Sequence, residues 1–366
     1  MLVEVNSMPN AQSILQRLMV AIKRLCALGA PRQPGQSRSS AVLSGAGSSR
    51  AAATGSTSPL PAQRSDSNTV ILQAAATVKL AEAKPTMTIT LRAAWAKDRG
   101  QLREINEDDV YGHTSQLASG ETLGLFIVCD GMGGHLGGEF ASKYAIHAIV
   151  DELHDLLAPT DLRRTVKLSP DEATATADGH PSPAGRPEES GLEHRIQLAV
   201  RRANTVVRDF ARNRPAEAGD AGATVTMVLV KGRTAYVANV GDSRTYLLRE
   251  GWLKALTKDH SLVASLAASG QIKAEEIYSH PGRNVILRSL GGKADVEADI
   301  YTRALLAGDR ILLCSDGLWE MVRDPQITVI MAKAPSPTEA CQRLIRAAND
   351  NGGEDNISAV VFWVEA

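Results

Sequence analysis

Residues 123–129 read Leu-Gly-Leu-Phe-Ile-Val-Cys, an apolar run interrupted only by Gly124. A strand with no polar face needs cover on both sides, so this one belongs in the interior of a sheet. The run ends on Asp130-Gly131, which stations a carboxylate at the end of a buried strand. An acid there is costly unless it is solvated, paired or bound to a cation. The pattern recurs. Ser315-Asp316-Gly317 follows the strand-like stretch 309–314, and Glu354-Asp355-Asn356 precedes the apolar stretch 357–364. Gly241-Asp242-Ser243-Arg244 sits between two hairpins, and Arg103-Glu104-Ile105-Asn106-Glu107-Asp108-Asp109 is a fifth acidic segment. One Asp-Gly pair is an ordinary turn former; five acidic segments at strand edges in one chain point to a metal centre. Glycine after two of the acids lets the backbone turn sharply and bring a carbonyl close to a ligand. Several carboxylates with a carbonyl and no Cys ligand suit a hard cation, Mg²⁺ or Mn²⁺, rather than zinc.

The remaining elements set the fold class. A strand starts at residue 88, and helical periodicity covers 139–157 and 192–212. Between them, residues 158–191 hold five prolines and no Phe, Trp or Tyr, the composition of a surface insertion. Stretches 223–230 and 234–240, then 244–249 and 252–256, read as successive hairpins of an antiparallel sheet. Residues 261–282 are helical and loop-like, 324–350 carry two helices, and 357–364 form a closing strand. Strands and helices in blocks, without strict alternation, favour α+β with antiparallel sheets over a doubly wound parallel fold.

Composition divides the chain at residue 87. Residues 1–86 hold nine basic and three acidic side chains, and 87–366 hold 31 and 38. The later part lacks the cationic surplus a nucleic-acid reader needs. Of residues 29–68, 26 are Ser, Gly, Pro or Ala, too little apolar surface to offset chain entropy. We read 1–86 as disordered apart from an amphipathic helix within 13–30, and 87–366 as one catalytic domain. The Arg-, Ser- and Ala-rich start is also the composition of an organellar transit peptide, the alternative to a cytoplasmic location. No run of 18 apolar residues exists, so no membrane span is expected. Cys26, Cys129, Cys314 and Cys341 form no C-x-x-C pair, which argues against a thiolate zinc site.

Taken in order, these motifs are recognisable. Arg103-x-x-Asn106-Glu107-Asp108, Asp130-Gly-Met-Gly-Gly-His135, Gly241-Asp-Ser-Arg244, Thr257-Lys-Asp-His260, Ser315-Asp-Gly-Leu-Trp319 and Asp355-Asn-Ile-Ser358 make the chain resemble the metal-dependent serine/threonine protein phosphatases of type 2C, the PPM family, in its bacterial form. The resemblance implies a four-layer α-β-β-α sandwich of two antiparallel sheets flanked by helices. It implies two Mn²⁺ or Mg²⁺ ions at one end of the sandwich, with positions that hold a third in some members. Asp130 would bridge the two metals and Gly131 would lend its carbonyl. Glu107 would serve one metal, Asp316 and Asp355 the other, and Asp242 with Asp316 the third. Asp108 would hold metal-bound water, and Arg103 would bind the substrate phosphate. A bridging hydroxide would attack phosphorus without a covalent enzyme intermediate. The implied partners are phosphoproteins and a cognate Ser/Thr kinase, and the implied state is a monomer. Residues 264–283 would form a mobile flap beside the site. One position departs from animal members, where His follows the Asp-Gly pair: here it is Met132, which cannot donate a proton, and the general acid is left open. Ser315 precedes a metal ligand and has no His/Asp pairing to make it a nucleophile. Asp259 and His260 are expected to cap a helix starting near Ser261, and Trp319 to pack under the site.

Overall fold

The computed structural model describes residues 88–117, 119–133, 137–157 and 187–366. Residues 1–86, His135 and positions 158–186 of the expected insertion lie outside the described residues. The strands are β1 (Thr90–Asp98), β2 (Asp109–Gln116), β3 (Thr122–Cys129), β4 (Gly131–Met132), β5 (Gly222–Ala223), β6 (Val225–Lys231), β7 (Thr234–Val240), β8 (Arg244–Arg249), β9 (Trp252–Ala255), β10 (Asp299–Ala304), β11 (Arg310–Cys314) and β12 (Ile357–Glu365). The helices used below are α1 (Gly137–Glu152), α2 (Pro187–Asn213), α3 (Leu262–Ala268), α4 (Asp316–Trp319), α5 (Asp324–Lys333) and α6 (Pro337–Asp350).

Two five-stranded antiparallel sheets form, in the orders β1-β12-β11-β8-β9 and β10-β7-β6-β3-β2. Strand β3 explains the layering. Its side chains alternate between faces, as any strand's must. Phe126 and Val128 point between the sheets, where they meet Val228, Val237, Leu313, Val360 and Phe362. Phe126 and Phe362 stack with ring centroids 4.2 Å apart. Leu125 and Ile127 point outward and join Ile149 of α1 and Ile196 and Val200 of α2. On the far side Leu312 and Val361 join Ile327 and Met331 of α5 and Leu344 of α6. Each large apolar side chain so buried contributes about 1.5–3 kcal/mol. The result is an α-β-β-α sandwich.

The structure differs from the sequence expectation in three places. The two hairpins do not share a sheet: β6–β7 and β8–β9 fall in different sheets, and the chain crosses between them at Gly241-Asp242-Ser243. Strands β2 and β10 carry no apolar run, yet they edge the second sheet, where a half-covered strand can be polar. Helix α2 begins at Pro187, inside the expected insertion, because proline is tolerated in a first turn whose N–H has no helical acceptor. Register then brings the acids together. Cys129 at the end of β3 opposes Asp109, and Cys314 at the end of β11 opposes both Arg244 and Ala359. The residues after β3, β7 and β11 and before β12 therefore open at one end of the sandwich.

Candidate metal centre

Asp130 is fixed through its backbone. Its carbonyl accepts from Thr224 N at 2.8 Å, and its N–H donates to Thr224 Oγ1 at 3.1 Å. Asp108 is fixed through its side chain: Ser315 Oγ donates to Oδ2 at 2.7 Å, while Ser315 itself accepts from Ser358 N at 3.0 Å. The Arg99–Glu107 loop is stapled by Asn356, whose Nδ2 donates to Arg99 O and Ile105 O at 2.9 Å and whose Oδ1 accepts from Glu107 N at 2.8 Å. Asp242 is held at its carbonyl by Trp319 Nε1 at 3.0 Å, and the Arg244 guanidinium lies 3.5 Å over the Trp319 ring. Arg103 is half exposed and donates to Asp355 Oδ2 at 2.6 Å.

The glycines have a spatial role. A Cβ on Gly131 would sit 2.0 Å from Gly138 O and 2.6 Å from Glu107 O, and one on Gly317 would sit 2.2 Å from Asn356 O. Neither residue has a positive φ. Close packing of α1 and of the β12 entry against the acidic loops, not a special turn, demands glycine there. Asp259 and His260 do not cap α3; Ser261 does, accepting from Ala264 N. Asp259 takes a forked ion pair from Arg244 at 2.7 Å. His260 exchanges hydrogen bonds with Gly241 instead, donating from its backbone and accepting at Nδ1.

Electrostatics mark the cluster as unsatisfied. Lost solvation and then the charges of Asp316, Asp108, Asp355 and Asp242 push Asp130 well above the usual carboxylate range. Desolvation, then Asp242 and Asp355, do the same to Asp316. Burial raises Asp108 to about 6 despite its hydrogen bond from Ser315, and burial with Asp259 nearby raises Asp242 to about 7. Glu107 Oε1, Asp108 Oδ1, Asp242 Oδ1 and Asp316 Oδ1 are buried without a hydrogen-bond partner. Among the described residues no three His, Cys, Asp or Glu side chains stand ready to cage an ion unaided, and Asp355 is turned toward Arg103. Unpartnered buried carboxylate oxygens that repel one another, beside an available glycine carbonyl, are a donor set that fits a hard divalent cation.

All eight residues singled out in the sequence, Arg103, Glu107, Asp108, Asp130, Gly131, Asp242, Asp316 and Asp355, lie in this cluster or in the segments that frame it. Sequence reasoning did not assign Asn356, Ser315 and Thr224 their supporting roles. Asn356 and Ser315 sit within acidic motifs, which is a signal; Thr224 carries none.

A family profile described as Protein phosphatase 2C matches residues 99–359. The serine/threonine protein phosphatase PstP of Mycobacterium tuberculosis is 36% identical over 275 residues, covering 75% of this chain and 45% of PstP. The chain therefore spans less than half the length of that relative. The serine/threonine phosphatase stp of Listeria welshimeri is 31% identical over 271 residues, covering 74% of this chain and 95% of that protein. The solved catalytic domain of serine threonine protein phosphatase PstP in complex with two manganese ions superposes with a TM-score of 0.59 at 33% identity, covering 76% of this chain and 100% of that one.

Proposed function

The chain belongs to the protein phosphatase 2C family, and from that premise we propose that it is a metal-dependent phosphatase of phosphoserine and phosphothreonine in proteins. The observation that carries the reading is the group of unpartnered buried carboxylate oxygens on Glu107, Asp108, Asp242 and Asp316, gathered beside the exposed guanidinium of Arg103. Asp130 and the Gly131 carbonyl, with Glu107 on one side and Asp316 and Asp355 on the other, would hold two Mn²⁺ or Mg²⁺ ions, and Asp242 with Asp316 a third. Such ions, when bound, neutralise the phosphate dianion and lower the pKa of the attacking water.

The chain's own residues supply the rest. Arg103 offers paired donors that match phosphate oxygens, and its exposure lets it exchange Asp355 for substrate. Asp108 keeps Oδ1 free to accept a water proton while Ser315 fixes Oδ2. Met132 has no proton to give, so the leaving alkoxide takes its proton from another donor. The enzyme would act as a monomer in the cytoplasm, opposing a Ser/Thr kinase on shared substrates; among the described residues no helix is long and apolar enough to cross a membrane.

The test is phosphate release from a phosphothreonine peptide. Release should need Mn²⁺ or Mg²⁺, stop with EDTA and persist in okadaic acid. No release under any metal would replace this reading with that of an inactive scaffold.

A further inference from the structure

Two acids expected to serve the same ion, Asp316 and Asp355, come from different segments. Asp316 opens α4 and Asp355 precedes β12. Their backbones meet through Ser315, whose N–H donates to Ser358 O at 3.3 Å and whose Oγ accepts from Ser358 N at 3.0 Å, which leaves a gap on the side that carries Glu320 and Glu354. Arg283 lies across that gap. Its guanidinium donates to Glu354 Oε2 at 3.0 Å and pairs with Glu320 Oε2 at 3.4 Å. Glu354 is the neighbour of Asp355, and Glu320 sits one helical turn beyond Asp316, its N–H donating to Asp316 O at 2.8 Å.

Arg283 is itself held in place. Its N–H donates to His280 O at 3.0 Å, and the Gly282 N–H donates to His280 Nδ1 at 3.0 Å, which closes a tight turn. Just before this turn, the Tyr278 ring packs on Trp319 of α4 with centroids 6.1 Å apart, and the Arg323 guanidinium lies 3.4 Å over Tyr278. The turn is thus seated on the Asp316 segment from two sides. A planar guanidinium can bridge two carboxylates at once; a lysine ammonium is a single flexible point charge.

We infer that Arg283 is a positioning residue that braces Asp316 and Asp355, beyond the backbone link through Ser315, by bridging Glu320 and Glu354, and so tunes the affinity of the ion those two aspartates share. This rests on the phosphatase reading above. Charge and position predict opposite signs. If Arg283 acted only as a nearby positive charge, Arg283→Ala would tighten divalent cation binding, because two uncompensated glutamates would then face the ion. If it positions the ligands, the same change loosens binding. Arg283→Lys separates the two further, since it keeps the charge and loses the fork.

The test is calorimetric titration of the full chain with Mn²⁺, after a circular-dichroism melt confirms folding. Arg283→Ala should weaken one Mn²⁺ step about tenfold and Arg283→Lys about threefold. Phosphate release should recover to within about threefold of wild type at saturating Mn²⁺. Tighter or unchanged Mn²⁺ binding in both variants overturns the inference, and if Arg283→Ala does not fold, Arg283→Lys decides alone. A wild-type chain that binds no Mn²⁺ and releases no phosphate overturns the phosphatase reading and this inference with it; a wild type that does both, with variants that match it, overturns the inference only.

Discussion

Ser315 carries more of the site than its place before Asp316 announces. Its hydroxyl donates to Asp108 Oδ2 and accepts from Ser358 N, so one side chain ties the acidic loop to the β11–β12 pair. Replacing it with alanine leaves a buried carboxylate oxygen and a buried N–H without partners, which costs roughly 1–3 kcal/mol. Ser315→Ala should therefore lower the melting temperature and cut kcat while leaving KM for a phosphopeptide near its wild-type value. A nucleophilic serine would instead show total loss of turnover and a covalent phosphoenzyme in mass spectra of the wild type. Asp130→Asn makes the complementary prediction: the backbone pairing with Thr224 survives, the fold holds, and metal-dependent turnover disappears. Full activity of that variant would refute the metal assignment.

At the level of elements, the Arg99–Glu107 loop depends on a residue from the opposite end of the sequence. Asn356 supplies three of its hydrogen bonds from the start of β12. Asn356→Ala should free the loop that presents Arg103 and Glu107, lower kcat/KM at least tenfold, and raise amide exchange across 99–107. Unchanged exchange there would show that the staple is redundant. Elements of this kind mark how far sequence reading goes. Strand β3 and its terminal Asp130 were legible because a fully apolar run followed by an acid admits few placements. Strands β2 and β10 were not, because an edge strand can mix polar and apolar residues without penalty. The acids were legible as a set, but their supports were not. Asn356 and Thr224 act across 249 and 94 residues of chain, and no local pattern encodes a contact of that separation.

For the molecule as a whole, the acidic end of the sandwich opposes the stability that the three apolar layers provide. Asp108 at about 6, Asp242 at about 7, and Asp130 and Asp316 higher than usual all have folded values above an unfolded value of about 3.9. Groups shifted in this direction contribute stability that is full below about pH 4 and is lost as pH rises through their folded values. Asp155 beside Arg195 shifts the other way below the window in question, and His113 and His260, held below the usual imidazole range by burial, add stability as pH rises within it, against the larger number of buried carboxylates. The metal-free protein should therefore become less stable between about pH 5 and pH 7.5, as the buried acids ionise against one another. Mn²⁺ binds the folded state and favours the same acids in their charged form. At a hundredfold excess over its dissociation constant it adds about 2.7 kcal/mol. Because protons and metal compete for the same oxygens, that gain should grow with pH. Thermal melts with EDTA and with Mn²⁺ at pH 5, 6 and 7.5 test this. The melting-temperature gain from Mn²⁺ should be largest at pH 7.5 and smallest at pH 5. A gain that is the same at all three values would mean that the cation stabilises the fold somewhere other than among these carboxylates.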